Sequence, residues 1–467
     1  MPHLRRTELI NEVIPVDMHA RFMQDRKPIR WARTRRCLTA MATLLIAGCN
    51  AEPAPTGRVL VIAVDGASTR LIAQLMDEGR LPNFSALARV GSSGVSRPEL
   101  PLLSPRIWTD VVTGKLPERH GIQGWVHLSQ DGTPHLYSSR DRTAHALWNI
   151  LSDAGLKVGV VNWLMTHPPE VVNGIMVSDH AADGMMEDKR ALAQTFADKI
   201  DGTQGEVRVD SPTGSFVSPS TFRSQVEAER SAPPFTEISN PFADLQDWPR
   251  FGFLGDFMRQ VYDNDDFAAS VALRIESEIQ PDLLLVYLPG VDRISHFLWD
   301  AVEPIETIPE ALRRPPEVVV KHARALIAYY EYVDQVIGRL VQNRSPEDLV
   351  IVMSDHGFEI DPKSDVLRGV HDSPAARDGI LFMRGRGVPK GRSDLVMNMV
   401  DVAPTILAWL GMPPATDMDG VPAVFMETDT PTPIASYDTT PIEYLGEKDE
   451  AVERRIIDDL KALGYVE

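Results

Sequence analysis

The chain of 467 residues carries 47 Lys and Arg against 66 Asp and Glu, a formal net charge of -19, and 43% of its residues are apolar. This composition excludes a disordered chain and a collagen-like fibre, and the length suffices for one large or two ordinary globular domains. Both cysteines, Cys37 and Cys49, precede the globular part, which excludes a disulfide framework or a cysteine-type zinc site there. A metal site in the body must therefore use His, Asp and Glu.

The charge is distributed unevenly along the chain. Residues 1–49 hold nine Lys and Arg against four Asp and Glu, a net of +5, whereas residues 50–467 hold 38 against 62, a net of -24. So acidic a body disfavours a surface for nucleic acid or for an anionic membrane. We therefore expect no nucleic-acid partner, and solubility is the plain interpretation of the acidic excess.

The N-terminal residues 1–49 are typical of an export signal. Six basic residues from Arg26 to Arg36 precede the twelve uncharged residues Cys37–Gly48, a length that suits a signal peptide and is too short to span a bilayer. The run LIAGC ending at Cys49 resembles a bacterial lipobox, in which the peptide is cleaved before the Cys and the Cys is lipidated. The alternative is a soluble export signal with an incidental Cys. We predict a bacterial lipoprotein lipidated at Cys49, periplasmic or attached to the outer membrane, with a short polar tether at residues 50–57.

From residue 58 onward, short apolar runs alternate with helical periods. Four β-branched runs predict strands that are covered on both faces: Arg58–Val64, Lys157–Asn162, Asp282–Leu288 and Asp348–Met353. A period of 3.6 predicts helices at Ser68–Val90, Thr143–Ala154, Val318–Val341 and Asp401–Leu410. This alternation predicts an α/β fold with a mostly parallel central sheet and helices on both faces.

The pattern breaks between residues 183 and 264, where the sequence is polar and rich in Pro, Ser and Asp. We interpret this stretch as an inserted, cap-like segment over one end of the sheet. The core then comprises residues 58–182 and 265–425. Residues 426–467 form a C-terminal extension, whose acidic helix at Glu447–Leu463 is predicted to be a docking segment without chemistry.

Polar residues follow directly after three of the predicted strands. In open α/β sheets, ligands collect beyond the carboxyl ends of the strands. The candidates in chain order are Asp65, Asp292, His296, Asp355, His356 and, fifteen residues further on, His371. Carboxylates and imidazoles at strand ends suit one or two divalent cations. Each residue alone has a plainer interpretation, because an Asp after a strand is often a turn or helix cap and a lone His is often structural.

Residues 101–122, PLLSPRIWTDVVTGKLPERHGI, place a serine at a predicted helix start. Ser104 is predicted as the N-cap and Pro105 as the first helical residue. A hydroxyl there faces free backbone N–H groups and the positive end of the helix dipole, which suits a nucleophile and an incoming phosphoryl group. The alternative is an ordinary N-cap serine.

Together these segments resemble the alkaline phosphatase superfamily, and within it the type I phosphodiesterase and nucleotide pyrophosphatase family. The resemblance runs from about Arg58 to Gly420, and its motifs stand in family order: VIAVDG, LPNFSALA, the block around Ser104, PDLLLVYLPGVDRISHFLW, YYEYVDQVIGRL, SDHGF, GVH and DVAPTILAWLGMPPATDMDG. The resemblance implies one divalent metal ion on Asp292, His296 and His371, and a second on Asp65, Ser104, Asp355 and His356.

The resemblance also implies a reaction. Ser104 would attack the phosphoester, and water would hydrolyse the resulting phosphoserine. Zinc is the expected metal because three His accompany the carboxylates, and manganese could fill the same ligands. The expected function is hydrolysis of phosphodiester or pyrophosphate bonds in a small phosphoester, with Arg106 as a candidate substrate-binding residue.

Three other functions are compatible with parts of the sequence. A phosphomonoesterase would use the same metals, and an Arg106 guanidinium in the site would favour a dianionic monoester. A sulfatase would share the fold but needs a C/S-x-P-x-R motif, whose two ends are here Leu103 and Ile107. A ligand-binding lipoprotein without activity would have no use for Ser104. His120 in ERHGI is predicted to fix a turn, not to bind metal, and the oligomeric state stays open.

Overall fold

A nine-stranded mixed sheet forms the centre of the structure, which is a computed structural model. Its strand order is β13-β2-β12-β9-β1-β8-β5-β6-β7, and two further strand pairs, β3-β4 and β10-β11, form small hairpins. The strands are β1 (Val59–Val64), β2 (Ser92–Arg97), β3 (Val126–Leu128), β4 (Pro134–Leu136), β5 (Val158–Val161), β6 (Gly174–Val177), β7 (Val217–Ser218), β8 (Leu283–Leu288), β9 (Leu349–Met353), β10 (Glu359–Ile360), β11 (Gly369–Val370), β12 (Gly379–Arg384) and β13 (Leu395–Asn398).

The structure describes residues 57–128, 134–179, 181–184, 215–230, 242, 252–360, 369–371, 374, 376–427, 429–446 and 457. All of them belong to one compact unit, Pro55–Glu467. The predicted signal segment with Cys49, all but the last residue of the predicted tether, and nearly all of the predicted helix at Glu447–Leu463 lie outside these residues. Within them, no helix combines the length and the apolar character that crossing a bilayer requires.

The helices flank the sheet and are labelled here in chain order. They are α1 (Thr69–Asp77), α2 (Pro82–Val90), α3 (Ser104–Thr113), α4 (Pro117–His120), α5 (Leu147–Asp153), α6 (Ala181–Gly184), α7 (Arg223–Arg230), α8 (Gly252–Ile279), α9 (Gly290–Leu298), α10 (Pro316–Val341) and α11 (Val402–Trp409).

The central strands are buried on both faces because their side chains alternate between two separate apolar clusters. In β1, Leu60, Ile62 and Val64 belong to one cluster, which includes side chains of α8 and α10. Their neighbours Val59, Val61 and Ala63 belong to the other, which includes side chains of α3 and α11. Because successive side chains of a strand point to opposite faces of the sheet, each central strand contributes to both apolar clusters. The predicted α/β fold with helices on both faces is confirmed.

Parallel pairing brings the ends of three strands to one edge. β1 pairs in parallel with β8, from Val59 opposite Leu283 to Val64 opposite Leu288. It pairs in parallel with β9 on its other side, from Val59 opposite Leu349 to Ala63 opposite Met353. Antiparallel pairs are β2-β12, β9-β12 and β6-β7. The residues that follow β1, β8 and β9 therefore meet beyond the same edge.

Two helical segments differ from the prediction. The segment predicted as one helix at Ser68–Val90 is divided into α1 and α2, because Gly79 has a left-handed φ of 73° and Pro82 begins the second helix. Helix α8 has 28 residues and contains the predicted boundary at residue 264. The first half of this helix was not predicted, because its apolar periodicity is weak.

Candidate active site

Six of the predicted site residues form two adjacent groups beyond the carboxyl ends of the strands. One group, called the Asp65 group, contains Asp65, Asp355 and His356. The other, called the Asp292 group, contains Asp292, His296 and His371. Within each group, ligand atoms of all three side chains lie within 4.8 Å of one another.

The Asp65 group has the dimensions of a cation site. His356 Nε2 lies 3.5 Å from Asp65 Oδ1 and 3.5 Å from Asp355 Oδ2. Two ligand atoms held roughly 2.1 Å from one tetrahedral cation lie about 3.4 Å apart. His356 Nδ1 is 3.0 Å from the Gly357 carbonyl oxygen and must donate to it, so Nε2 carries a lone pair. Among the described residues, Nε2 has no hydrogen-bond partner. A lone pair facing two carboxylate oxygens in a buried site fits the ligand set of a cation.

The Asp292 group is built on one helix and one hairpin. Asp292 and His296 are four residues apart on α9 and share one face, with His296 Nε2 3.4 Å from Asp292 Oδ1. His296 Nδ1 donates to the Gly369 carbonyl oxygen at 2.9 Å, which leaves Nε2 as the ligand atom. His371 follows β11, and its Nε2 is 4.0 Å from the same Asp292 oxygen. The residues present therefore fit a second cation.

The two groups share a border. His356 Nε2 is 3.9 Å from Asp292 Oδ1, and the rings of His356 and His371 stack with centroids 3.9 Å apart and planes inclined by 21°. Phe358 packs against three imidazoles, with its ring centroid 5.1 Å from that of His296, 5.7 Å from that of His356 and 5.6 Å from that of His371. Such adjacency suits two neighbouring cations acting on one phosphoryl group.

The pKa values of the three carboxyls shift in different directions. Burial acts to raise the pKa of Asp292, but the neighbouring imidazoles of His296, His356 and His371 hold it below its usual range. Burial raises the pKa of Asp65 well above its usual range, and the charges of Asp355 and Asp292 raise it further. Burial also raises the pKa of Asp355 to about 7, against the Gly66 N–H bond that lowers it. Burial lowers the pKa of His371 to about 2, and the neighbouring His356 acts in the same direction. Divalent cations would compensate this concentration of buried acidic groups.

Ser104 is the seventh predicted ligand, and it lies beside the Asp65 group. Its side chain is buried, and its hydroxyl lies within hydrogen-bonding reach of Asp355, whose pKa it lowers against the larger effect of burial. The prediction of its place in the helix is wrong by one residue. Leu103 is the N-cap of α3, so Ser104 is the first helical residue and Pro105 the second.

This shift changes the backbone donors near Ser104. Pro105 has no N–H, and the Arg106 N–H donates to the Leu103 carbonyl oxygen at 3.1 Å. The helix start therefore offers fewer donors to a phosphoryl group than an N-cap serine implies. All ten residues of α3 are buried.

Arg106 lies on α3 and acts on Asp110, one turn further along. Burial raises the pKa of Asp110 to about 8, and the positive charge of Arg106 opposes that rise. The Arg106 side chain is buried, and within the described part of the chain its Nε has no hydrogen-bond partner. A role of Arg106 in substrate binding stays a prediction.

His120 is placed outside both groups. Its Nδ1 accepts the Ile122 N–H at 3.1 Å, and its Nε2 therefore donates to Asp110 Oδ1 at 2.8 Å. Burial lowers its pKa to about 3, with help from Arg142 and Arg106. The chain turns at Gly121, which has a left-handed φ of 90°. The neutral imidazole closes this turn by accepting the Ile122 N–H, as the sequence predicts.

Sequence analysis missed two residues that bind Asp65. Asp65 Oδ2 accepts a hydrogen bond from Trp108 Nε1 at 3.1 Å and another from the Tyr287 hydroxyl. Trp108 stands four residues after Ser104, a spacing that puts both on one helix face and could have identified it. Tyr287 is a single hydroxyl in the apolar run of β8, which was a weaker signal.

A second missed contact orients α9. Asp265 Oδ2, on α8, accepts the Gly290 N–H at 3.2 Å and the Tyr329 hydroxyl at 2.7 Å. Gly290 begins the helix that carries Asp292 and His296, so a buried carboxyl occupies the positive end of that helix. Burial raises the pKa of Asp265 to about 7 despite these hydrogen bonds.

Comparison with known proteins gives the family. The sequence matches the family model "Type I phosphodiesterase / nucleotide pyrophosphatase" over residues 59–381. Phosphonoacetate hydrolase from Sinorhizobium meliloti 1021, solved with phosphonoformate, is 15% identical with a TM-score of 0.38, over 67% of this chain and 59% of that chain. Human ectonucleotide pyrophosphatase/phosphodiesterase 5 is 14% identical with a TM-score of 0.42, over 79% and 98%. A 2-O GAG sulfatase is 12% identical with a TM-score of 0.45, over 79% and 73%. No curated protein sequence matches significantly.

The family match covers more than two thirds of the chain and includes all seven predicted ligands. This chain spans 59% of the length of the phosphonoacetate hydrolase and shares 12–15% identity with the three solved structures. The chain belongs to the type I phosphodiesterase and nucleotide pyrophosphatase family, and it is by family a hydrolase of phosphoester bonds.

Proposed function

We propose that the protein is an exported, two-metal phosphodiesterase that uses Ser104 as its nucleophile. One observation carries this proposal: a buried serine hydroxyl at a helix start lies within reach of Asp355, beside two contiguous groups of carboxylates and imidazoles. Neither a structural serine nor a ligand-binding lipoprotein needs this combination.

The two groups of carboxylates and imidazoles support a proposal of two metal sites. Asp292, His296 and His371 would hold one divalent cation, and the Asp65 group with Ser104 would hold the other. When bound, the cations would supply Lewis acidity at the attacking and leaving oxygens and a water of lowered pKa. Three imidazoles with three carboxylates favour zinc, and manganese suits the same ligands.

The chain's own residues perform the displacement. Ser104 Oγ attacks phosphorus and the bond to the leaving alcohol oxygen breaks, so that Oγ loses its proton, the leaving oxygen takes one up to become an alcohol, and the phosphoryl group stays on Ser104 with its second ester group. Water then attacks phosphorus, the bond to Ser104 Oγ breaks, Oγ takes up the proton that the water loses, and the phosphomonoester departs. Asp355 orients the hydroxyl before attack through the contact described above. The buried setting of Ser104 excludes competing water from the attacking side.

The decisive experiment is to trap the intermediate. Brief acid quenching of the purified protein with a phosphorus-labelled diester should leave the labelled phosphoryl group, with its remaining ester group, on the peptide that contains Ser104. Ser104→Ala should lose the label and several powers of ten in rate. Ser85→Ala, which changes a serine on α2 that donates to the Leu81 carbonyl oxygen, should keep both. Label on another residue would refute the assignment.

A monoesterase is the second candidate, and Arg106 is the observation that favours it. Its buried Nε has no partner among the described residues, and a guanidinium can bind two phosphoryl oxygens of a dianion. We expect bis-p-nitrophenyl phosphate to turn over faster than the monoester, a nucleoside ester to gain only modestly, and a sulfate ester to react slowest. Faster monoester turnover that Arg106→Ala reverses would establish an alkaline phosphatase instead.

The location is proposed from the sequence alone. LIAGC at residues 45–49 supports lipidation of Cys49 and attachment to a membrane of the bacterial envelope. In a bacterial host, the wild-type protein should fractionate with membranes and incorporate a labelled fatty acid. Cys49→Ser should lose the label and appear in the soluble fraction, and a soluble wild type would contradict the proposal.

A further inference from the structure

We propose that Trp108 and Tyr287 are positioning residues for the reaction. Together they hold Asp65 so that only its Oδ1 faces the cation, and Trp108 also ties the nucleophile helix to that carboxylate. The inference rests on the proposed two-metal function. It adds an explanation of how the proposed metal ligand Asp65 and the proposed nucleophile Ser104 are held at a fixed distance from each other.

Both donors bind the same oxygen. Trp108 Nε1 lies 3.1 Å from Asp65 Oδ2, and the Tyr287 hydroxyl donates to the same atom. Asp65 is 2% exposed, Trp108 0% and Tyr287 3%, so water does not compete for these bonds. Asp65 Oδ1 faces His356 Nε2 at 3.5 Å instead. Oδ2 therefore accepts the two hydrogen bonds, and Oδ1 is left to bind a cation. If both oxygens of Asp65 bound the cation, the two buried hydrogen bonds to Oδ2 would have to break.

The three residues come from three different elements. Asp65 directly follows β1, Tyr287 is on β8, and Trp108 is on α3. Trp108 is four residues after Ser104, so the indole and the hydroxyl project from one side of the helix. Rotation of α3 about its axis would move both side chains together. The Trp108–Asp65 bond therefore fixes Ser104 relative to the metal ligand.

Further buried aromatics hold Trp108 in place. Its ring packs edge-on against Trp163, with centroids 5.5 Å apart, and against Tyr287, with centroids 5.6 Å apart. Trp163 Nε1 donates to the Trp108 carbonyl oxygen at 3.1 Å. Both the backbone and the side chain of Trp108 are thus restrained, as a residue that positions others requires.

The competing explanation is that these residues only fill the core. Trp148 offers a matched control, since it is 1% exposed and its Nε1 donates to a buried carboxylate, Glu170 Oε2, at 2.8 Å. Glu170 belongs to neither ligand group. Trp148→Phe and Trp108→Phe therefore remove the same N–H and the same ring atoms from equally buried sites, and only one contacts a proposed metal ligand.

The test measures metal binding in the absence of turnover. Full-length protein freed of metal is titrated with Zn²⁺ against a chromophoric chelator, and circular dichroism verifies folding. We expect Tyr287→Phe and Trp108→Phe to weaken one of two sites about 10- to 100-fold and to leave the other unchanged. Trp148→Phe should leave both sites unchanged. At saturating metal, Trp108→Phe should lower kcat more than Tyr287→Phe, with little change in KM, because only Trp108 shares a helix with Ser104.

Each outcome decides the question. Wild-type affinities in folded Tyr287→Phe and Trp108→Phe, or an equal loss in Trp148→Phe, would refute the positioning role while leaving the two-metal function intact. A wild-type protein that binds no Zn²⁺ or Mn²⁺ would refute the function itself. If Trp108→Phe does not fold, Tyr287→Phe decides alone, because it removes a single oxygen atom and keeps the ring.

Discussion

Gly290→Ala should damage both the stability and the metal centre through one added carbon atom. A Cβ at residue 290 would overlap the Tyr329 hydroxyl and Asp265 Oδ2, and it would lie 2.6 Å from Tyr329 Cζ, closer than real Cβ contacts come. Tyr329 is 0% exposed and cannot swing into solvent. The start of α9, or the Asp265–Tyr329 pair, must therefore move.

The size of the effect follows from those contacts. Overpacking of a core costs roughly 1–3 kcal/mol. Displacing Asp265 also weakens two buried hydrogen bonds, from the Gly290 N–H and the Tyr329 hydroxyl, and a buried polar group left unpaired costs about 1–3 kcal/mol. We expect a loss of roughly 2–5 kcal/mol in the free energy of unfolding, since the two effects partly overlap.

Urea unfolding of the metal-free protein measures this loss, and Zn²⁺ titration measures the site. Gly255→Ala is the matched control, because it lies on α8 with nothing within 4 Å of its added Cβ. It should be neutral or should stabilise by about 0.5–1 kcal/mol through helix propensity. Only Gly290→Ala should also weaken the site of Asp292 and His296. A Gly290→Ala protein with wild-type stability and both sites intact would show that the contact with Asp265 does not position α9.

Two further predictions concern metal content and pH. His371→Ala should lose one of two bound metals and most activity, whereas His145→Ala, whose imidazole bonds Asp438 and Thr440, should keep both; metal analysis of the two proteins decides. Because burial raises the pKa of Asp110 from 3.8 to about 8, the folded state retains a proton that the unfolded state loses, and this contribution to stability falls as pH rises from about 4 to 8. Asp110→Asn should flatten that part of the profile in urea unfolding at pH 5 to 8, and an unchanged slope would contradict the raised pKa.

The sequence predicts which carboxylates and imidazoles come together, because their placement depends on local features. Asp65, Asp292 and Asp355 each follow an apolar β-branched run, and parallel pairing of those runs carries them to one edge. The resemblance to a family then selects these residues from many other acidic positions. Ser104 needed the same help, since the helix start alone misplaced it by one residue.

The supporting contacts could not be predicted because they join distant parts of the chain. The Tyr287–Asp65 bond links residues 222 positions apart, and neither residue type indicates its partner. Asp265 lies on α8, in a helix whose first half carries too weak a period to reveal it. Periodicity identifies which face of an element is buried, but it does not identify which buried polar atoms meet.

The complete burial of α3 has a consequence for how substrate is received. A helix with one solvent-exposed face can tilt or slide at little cost, whereas every residue of α3 is packed on all sides. Ser104 is therefore immobilised when the protein folds, and substrate binding need not bear that loss of conformational entropy. Amide hydrogens of α3 should exchange with solvent only when the whole unit opens. Adaptation to different substrates must then come from the residues around the site, while Ser104 keeps its place.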